Sequence, residues 1–239
     1  MQIYVQSCGV YPNHDYTWLR DDNTLINPPL LHSLDRLRQK NAPSIIISRT
    51  GEELLLLIFG LETSQRYDFL GRQIFNSLVW RATSTEEPFL RKLAASALRK
   101  DDDFLEVIDQ SVIDDDDEPG FKVLWTQIQE ISYKRKADEL LPDRTRKIGK
   151  NSKALRSNLA EELDRYRLPD QQGAIVVVTG IVDEVTLKQA GVWRSLSRLV
   201  EQEDWEEFTV EEKEVFIGKP LELLRLIYTY LMYCIEKLC

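Results

Sequence analysis

The spacing of hydrophobic residues changes along this chain, and the changes mark out three regions. Residues 1–7 alternate well enough to predict a first strand, and residues 11–27 are rich in Pro, Asn and Asp around an amphipathic patch at 16–20. A short helix is expected over 28–40, with Leu30, Leu34 and Leu37 on one face and Asp35 turned to solvent. Two continuous apolar runs, 45–47 and 54–59, flank a polar turn that contains Gly51. That pattern predicts a β-hairpin, and runs this continuous predict strands covered on both faces. A further strand is expected over 73–83, so residues 1–84 read as a small N-terminal sheet.

Beyond it the period becomes helical. Phe89, Leu90, Leu93, Ala94, Ala97 and Leu98 fall on one helical face, with Glu86 and Glu87 in the first turn, where acids suit the helix dipole. Residues 104–113 repeat the pattern, and the run DDDDEPG at 114–120 breaks it. Helices are expected over 123–131 and 152–166. Between them, residues 134–156 carry Pro142 and Gly149 and read as a mobile linker. From Gly173 the chain predicts strand then helix. A β-branched run at 174–178 and a turn at Thr179 and Gly180 lead into a helix over 183–200 that points Val185, Leu187, Val192, Leu196 and Leu199 inward. The last segment, 221–238, is apolar around nearly its whole circumference and predicts a helix buried on all sides, by its own core or by a partner. The expected architecture is α+β: an N-terminal sheet region (1–84), a helical region with a basic linker (85–170), and a C-terminal region (171–239) holding a βα unit and a terminal apolar helix.

Composition narrows the class. At 239 residues, 43% hydrophobic and with five Trp, nine Tyr and eight Phe, the chain can bury a core and is not disordered. Residues 1–20 lack the basic and apolar regions of a signal peptide. The longest apolar stretch, 226–235, is about half of what a membrane-spanning helix needs, so a soluble cytoplasmic protein with no membrane partner is expected. Cys8, Cys234 and Cys239 lack metal or redox spacing.

Charge is segregated. Residues 134–156 hold nine Lys or Arg against three acids, in a chain of net charge −9. Acid concentrates at 86–118 and 201–214. Such segregation speaks of association with charged partners. Lys147, Lys150 and Lys153 are the expected polar contacts, to an acidic protein partner or to the chain's own acidic flank, and Leu224, Ile227 and Leu231 the expected apolar ones. Nucleic acid is an alternative partner, opposed by the net charge and by the lack of interleaved aromatics beyond Tyr133.

Catalytic patterns are sparse. The acids at 114–118 lack the ligand spacing of a calcium loop and read as a solvated turn. His14 and His32 are the only histidines, and His14 sits among Pro12, Asn13 and Asp15, a surface-turn composition without a GxSxG elbow elsewhere. Residues 173–180 run from strand to turn at the place where α/β proteins often bind phosphate, although neither glycine-rich phosphate motif is present. Arg66, Arg72, Asn76 and Ser77 are dense enough in polar groups to converge on an anion or a backbone segment, with Gly71 allowing a tight turn. No catalytic residue, metal ligand or cofactor is assigned.

Three stretches carry a resemblance: Val5, Gln6 and Ser7 with Asp15, Tyr16 and Trp18; Gly60, Leu61 and Glu62 followed by Asp68, Phe69 and residues 71–77; and Gly191, Val192, Trp193 and Arg194. On these the chain resembles uncharacterised bacterial, particularly cyanobacterial, accessory proteins encoded beside NTPases in conflict (antiphage) systems. The resemblance implies a subunit of a multi-protein assembly in antiviral defence, with no catalytic motif to carry over. Taken together, the expected function is a non-catalytic interaction or regulatory subunit. A metal-dependent nuclease or nucleotide-processing enzyme, using Asp114, Asp115, Asp116 and Asp117 or carboxylates gathered by folding, is one rival; a nucleic-acid-binding subunit is the other.

Overall fold

The computed structural model describes residues 1–29, Leu34, Leu37 and residues 43–209. Leu224, Ile227 and Leu231, with the terminal helix expected to carry them, lie outside the described residues, as does most of the helix expected over 28–40. The described chain is α+β, organised on a nine-stranded mixed sheet that draws strands from both ends of the sequence.

The first half of the sheet is an antiparallel array in the order β3 (Ser44–Thr50), β4 (Glu53–Tyr67), β5 (Gln73–Thr83), β1 (Gln2–Ser7), β2 (Thr17–Arg20). The β3–β4 hairpin forms as the apolar runs predict, with Thr50 opposite Glu53 and Gly51 at φ +59° making the reversal. Its strands are buried on both faces. Ile45, Ile47, Leu54 and Leu56 join one core cluster, while Ile46, Leu55, Leu57 and Phe59 join the other. The long strand β4 loses register with β5 twice, first beside Gly60 at φ +71° and then between Glu62 and Tyr67.

Helices α1 (Glu87–Arg99), α2 (Asp102–Ser111) and α3 (Trp125–Tyr133) follow, with the short hairpin β6 (Val112–Asp114) and β7 (Phe121–Val123) between the last two. The acidic run is the turn of that hairpin. Asp114 pairs with Arg66 at 2.7 Å and Asp115 with Lys122 at 3.4 Å. His14, expected at the surface, is 8% exposed instead. Its ring fills the space that two glycines leave: a Cβ on Gly9 or Gly120 would stand 2.7 or 2.3 Å from His14 Nδ1.

The second half comprises β8 (Arg146–Lys150), α4 (Lys153–Arg165), β9 (Gly173–Thr179), α5 (Glu184–Gln189), β10 (Arg194–Ser197) and β11 (Glu206–Phe208). These extend the sheet beyond β3 in the order β9, β10, β8, β11. β9 is antiparallel to β3; β8, β10 and β9 are mutually parallel; β11 returns antiparallel to β8. Ile175 is an extra residue in the β3–β9 register, so Ile175 and Val176 both face the first cluster. That cluster takes Leu155, Leu159 and Leu163 of α4, whereas Leu187 of α5 lies in the second. The two crossover helices therefore cover opposite faces.

Two expectations need correction here. Residues 134–156 are not a linker throughout, because β8 sits inside the sheet between β10 and β11. It belongs there because Ile148 is fully buried and Gly149 lets α4 approach: a Cβ on Gly149 would lie 2.5 Å from Leu155 Cδ1. The helix expected over 183–200 stops at Gln189, and Gly191 at φ +64° turns the chain into β10. Val185 and Leu199, expected inward, are 63% and 56% exposed. Strand pairing with β8 and β9 on both sides outweighed the helical spacing of Leu187, Val192 and Leu196. No helix of the described residues is long and apolar enough to cross a membrane.

Candidate functional site

A parallel strand triplet with crossovers on opposite faces opens a crevice at its carboxyl end, since the loop leaving β8 turns toward one face and the loop leaving β9 toward the other. Here the crevice is the inner end of a cleft of about 1150 Å³ that continues to α2 and the irregular part of β4. Its walls differ in charge. One is formed by Asn151, Arg156, Gly180, Ile181 and Arg198.

Asn151, the first residue after β8, organises that wall. Its backbone N–H donates to Ser197 O of β10 at 2.9 Å, and its side-chain Nδ2 donates to Thr179 O of β9 at 2.9 Å. One residue thus ties three strand ends together. Its Oδ1 accepts from Arg156 Nη1 at 2.8 Å, which draws the guanidinium of α4 toward the crevice. Arg156 is half-buried; burial and, after it, the neighbouring charge of Arg198 hold its pKa below the ordinary arginine value. Arg198 follows β10 directly and runs past Gly180, its Cδ 3.9 Å from where a Cβ on that glycine would stand. Neither Arg156 nor Arg198 forms an ion pair with a carboxylate among the described residues.

Among the described residues, the four arginines that are themselves buried are treated otherwise. Arg49 and Arg91 meet Glu87 at 3.0 and 3.3 Å, Arg66 meets Asp114, and Arg194 meets Glu162 at 2.6 Å. A desolvated cation normally has such a partner, because the Coulombic gain must offset the loss of hydration. Arg156 has instead the amide oxygen of Asn151 as its partner, with Arg198 in the same crevice lining.

The part formed by α2 and β4 is rich in carboxylates, with Lys100 and Arg66 also in its lining. On α2, Asp102, Leu105, Glu106, Asp109 and Gln110 recur at helical spacing along the cleft, and Glu62 and Ser64 stand opposite them on β4. Asp109 accepts hydrogen bonds from the backbone and hydroxyl of Ser64, which anchors the widened part of β4 to α2.

Of the described residues predicted from sequence as site residues, Arg66 lines this cleft and the others fall elsewhere. Lys147 pairs with Asp143 at 3.0 Å and lies 3.8 Å from Glu207; Lys150 pairs with Glu203. The acidic flank after residue 200 is therefore the neighbour of the basic block, through the β8–β11 pairing. Lys153, the first residue of α4, is exposed. Of the polar set on β4 and β5, Arg66 donates to Ser7 Oγ and Cys8 O, and Ser7 Oγ donates to Asn76 Oδ1 at 2.8 Å. Ser77 Oγ accepts from Gly60 N at 3.4 Å. Arg66 thus ties the irregular end of β4 to β1, Asn76 ties β5 to β1, and Ser77 ties β5 to the irregularity at Gly60. Arg72 is apart from them, exposed at the hairpin tip and paired with Asp68 at 2.7 Å. Around that tip Tyr67, Phe69 and Leu70 are 50%, 53% and 61% exposed, with Gly71 at φ +74° forming the turn.

Among the described residues no group of three or more His, Cys, Asp or Glu is arranged to hold a metal ion. Sequence reasoning reached the β9 end of the cleft but missed Arg198, because β10 was hidden inside an expected helix. It counted Arg156 only as one charge of a block. The chain matches no protein-family model, no curated protein and no solved structure.

Proposed function

We propose that this protein is a regulatory interaction subunit of a bacterial multi-protein assembly, of the kind found in conflict systems, and that it responds to an anionic ligand bound at the carboxyl ends of β8, β9 and β10. The observation that carries the reading is that half-buried Arg156, held by Asn151 Oδ1 at 2.8 Å, and Arg198, running past Gly180, line the same strand-end crevice with no carboxylate paired to either among the described residues. Guanidinium groups so placed are complementary to phosphate or carboxylate oxygens, which they bind in bidentate geometry. An anion there would relieve the repulsion that the free protein carries. The exposed apolar tip at Tyr67, Phe69 and Leu70 supports the interaction half of the reading, since apolar patches on a surface commonly mark contacts with partners. A nucleotide-processing enzyme is the second reading, favoured by the carboxylates of α2 facing the same cleft.

Thermal melting with and without sodium pyrophosphate tests the ligand half. Pyrophosphate is expected to raise the melting temperature of the wild-type chain and to leave that of Arg198→Gln unchanged. A wild-type melting curve indifferent to pyrophosphate would remove the reading. For the interaction half, co-purification with products of neighbouring genes should fail for Phe69→Asp with Leu70→Asp while the fold stays intact. Undiminished co-purification would place the contact elsewhere.

A further inference from the structure

The cleft does not end at its arginines, and its second wall says what more the ligand carries. Arg156 and Arg198 line its strand-end part, while Glu62, Asp102, Glu106 and Asp109 line the part formed by β4 and α2, with Lys100 and Arg66 among them. A purely anionic ligand, such as inorganic phosphate, would satisfy the first wall and face repulsion or emptiness at the second. A purely cationic one would meet the guanidinium pair. The complement of both walls is a molecule with a compact anion at one end and hydrogen-bond donors at the other. Glu106 accepts from Gln110 Nε2 and Asp109 from Ser64, whereas the carboxylates of Asp102 and Glu62 have no such partner among the described residues. The same lining also holds apolar side chains: Leu61 and Leu105, with Ile113 and the 45%-exposed Ile181. A cleft of about 1150 Å³ is large for a phosphate ion and sufficient for a nucleotide.

We propose that the cleft binds a nucleoside phosphate, with its phosphate on Arg156 and Arg198, its base against Leu105 and Ile181, and its ribose or base donors on Asp102 and Glu106. This rests on the anion-binding reading of the arginine pair and deepens it. Carboxylates are suited to ribose hydroxyls, which donate while a carboxylate can only accept. The arrangement resembles in principle, though not in motif, the way open α/β sheets hold phosphate at the strand ends and ribose on an acid further along the crevice. Asn151 is a positioning residue: by holding three strand ends it sets Arg156 toward the phosphate.

Isothermal titration at low ionic strength, with pyrophosphate, adenosine and a panel of nucleoside mono- and triphosphates as probes, separates the two levels. The expected result is that at least one nucleoside phosphate binds tenfold or more tightly than pyrophosphate. Arg198→Gln, an exposed change that leaves folding intact, should weaken that nucleotide and pyrophosphate alike, by roughly ten- to a hundredfold, as for a lost charged hydrogen bond. Asp102→Asn with Glu106→Gln should reduce the nucleotide's advantage over pyrophosphate and leave pyrophosphate binding no weaker. If pyrophosphate binds and no nucleotide exceeds it, the nucleoside proposal fails while the anion site stands. If adenosine binds as tightly as its phosphates, the arginines are not the phosphate contact. If no probe binds, both levels fall.

Discussion

The β8–β11 edge and the cleft at the carboxyl end of the same strands are both rich in cations, and they use them in opposite ways. On the edge, Lys147 and Lys150 have Asp143, Glu203 and Glu207 as neighbours, supplied by the loop before β8 and the segment that returns as β11. In the cleft, Arg156 has Arg198. Two lysines of the basic segment are paired within their own chain, whereas Arg156 of the same segment, and Arg198 beyond it, have no carboxylate paired to them among the described residues. Charge density along a sequence therefore locates little. What identifies a site is a desolvated charge whose partner the fold does not supply.

The strongest way to sharpen this contrast is to make another arginine lack its partner. Glu87 is buried, receives Arg49 and Arg91, and also accepts from Leu168 N at 2.7 Å. Glu87→Gln keeps the shape and removes the charge, so buried Arg91 loses its carboxylate and Arg49 keeps only the exposed Asp170. A loss of about 3 kcal/mol is expected in chemical denaturation, in the range for breaking a buried pair. A loss under about 1 kcal/mol would mean that an uncompensated arginine is cheap in this fold, and the argument from Arg156 would weaken with it.

A second test uses pH. The Asp143 carboxyl is held below the usual aspartate range, chiefly by the Thr145 backbone N–H and further by Lys147. A depressed pKa contributes stability above the unfolded value of about 4, and that contribution is lost as pH falls through the folded value. Melting temperature followed from pH 5 down to pH 2 should fall less steeply for Asp143→Asn than for the wild type. Parallel curves would show that the carboxylate is not coupled to folding.

Smaller effects are expected where cations are paired at the surface. Lys147→Ala and Lys150→Ala should each cost less than about 1 kcal/mol, since exposed ion pairs contribute little. Neither should change pyrophosphate binding, and a tenfold loss of affinity in either would shift the anion site toward the edge. The smallest stability change is expected for Arg156→Gln. Removing a half-buried cation that repels its neighbour should leave the melting temperature near or above the wild-type value while ligand binding is lost. Marked destabilisation of this variant, comparable to Glu87→Gln, would mean that Arg156 is already satisfied within the fold.

The elements that the sequence announced by period alone were those whose burial is local and regular. Strands β3, β4, β5 and β9 follow from continuous apolar runs, and α1 and α4 from apolar residues at helical spacing, because side-chain direction within one element is set by backbone geometry. The α+β class followed from their order. Strand β10 was illegible for the same reason: its apolar residues also fit a helix, and only pairing between β8 and β9, two segments distant in sequence, decided for a strand. The pairing of the basic block with the acidic flank needed β11 to return beside β8. The cleft needed most of all, since Asn151, Arg156, Thr179 and Arg198 come from four separate places and meet because three parallel strands end together. Periodicity reports what one segment buries; which charges find partners is settled by neighbours that no single segment contains.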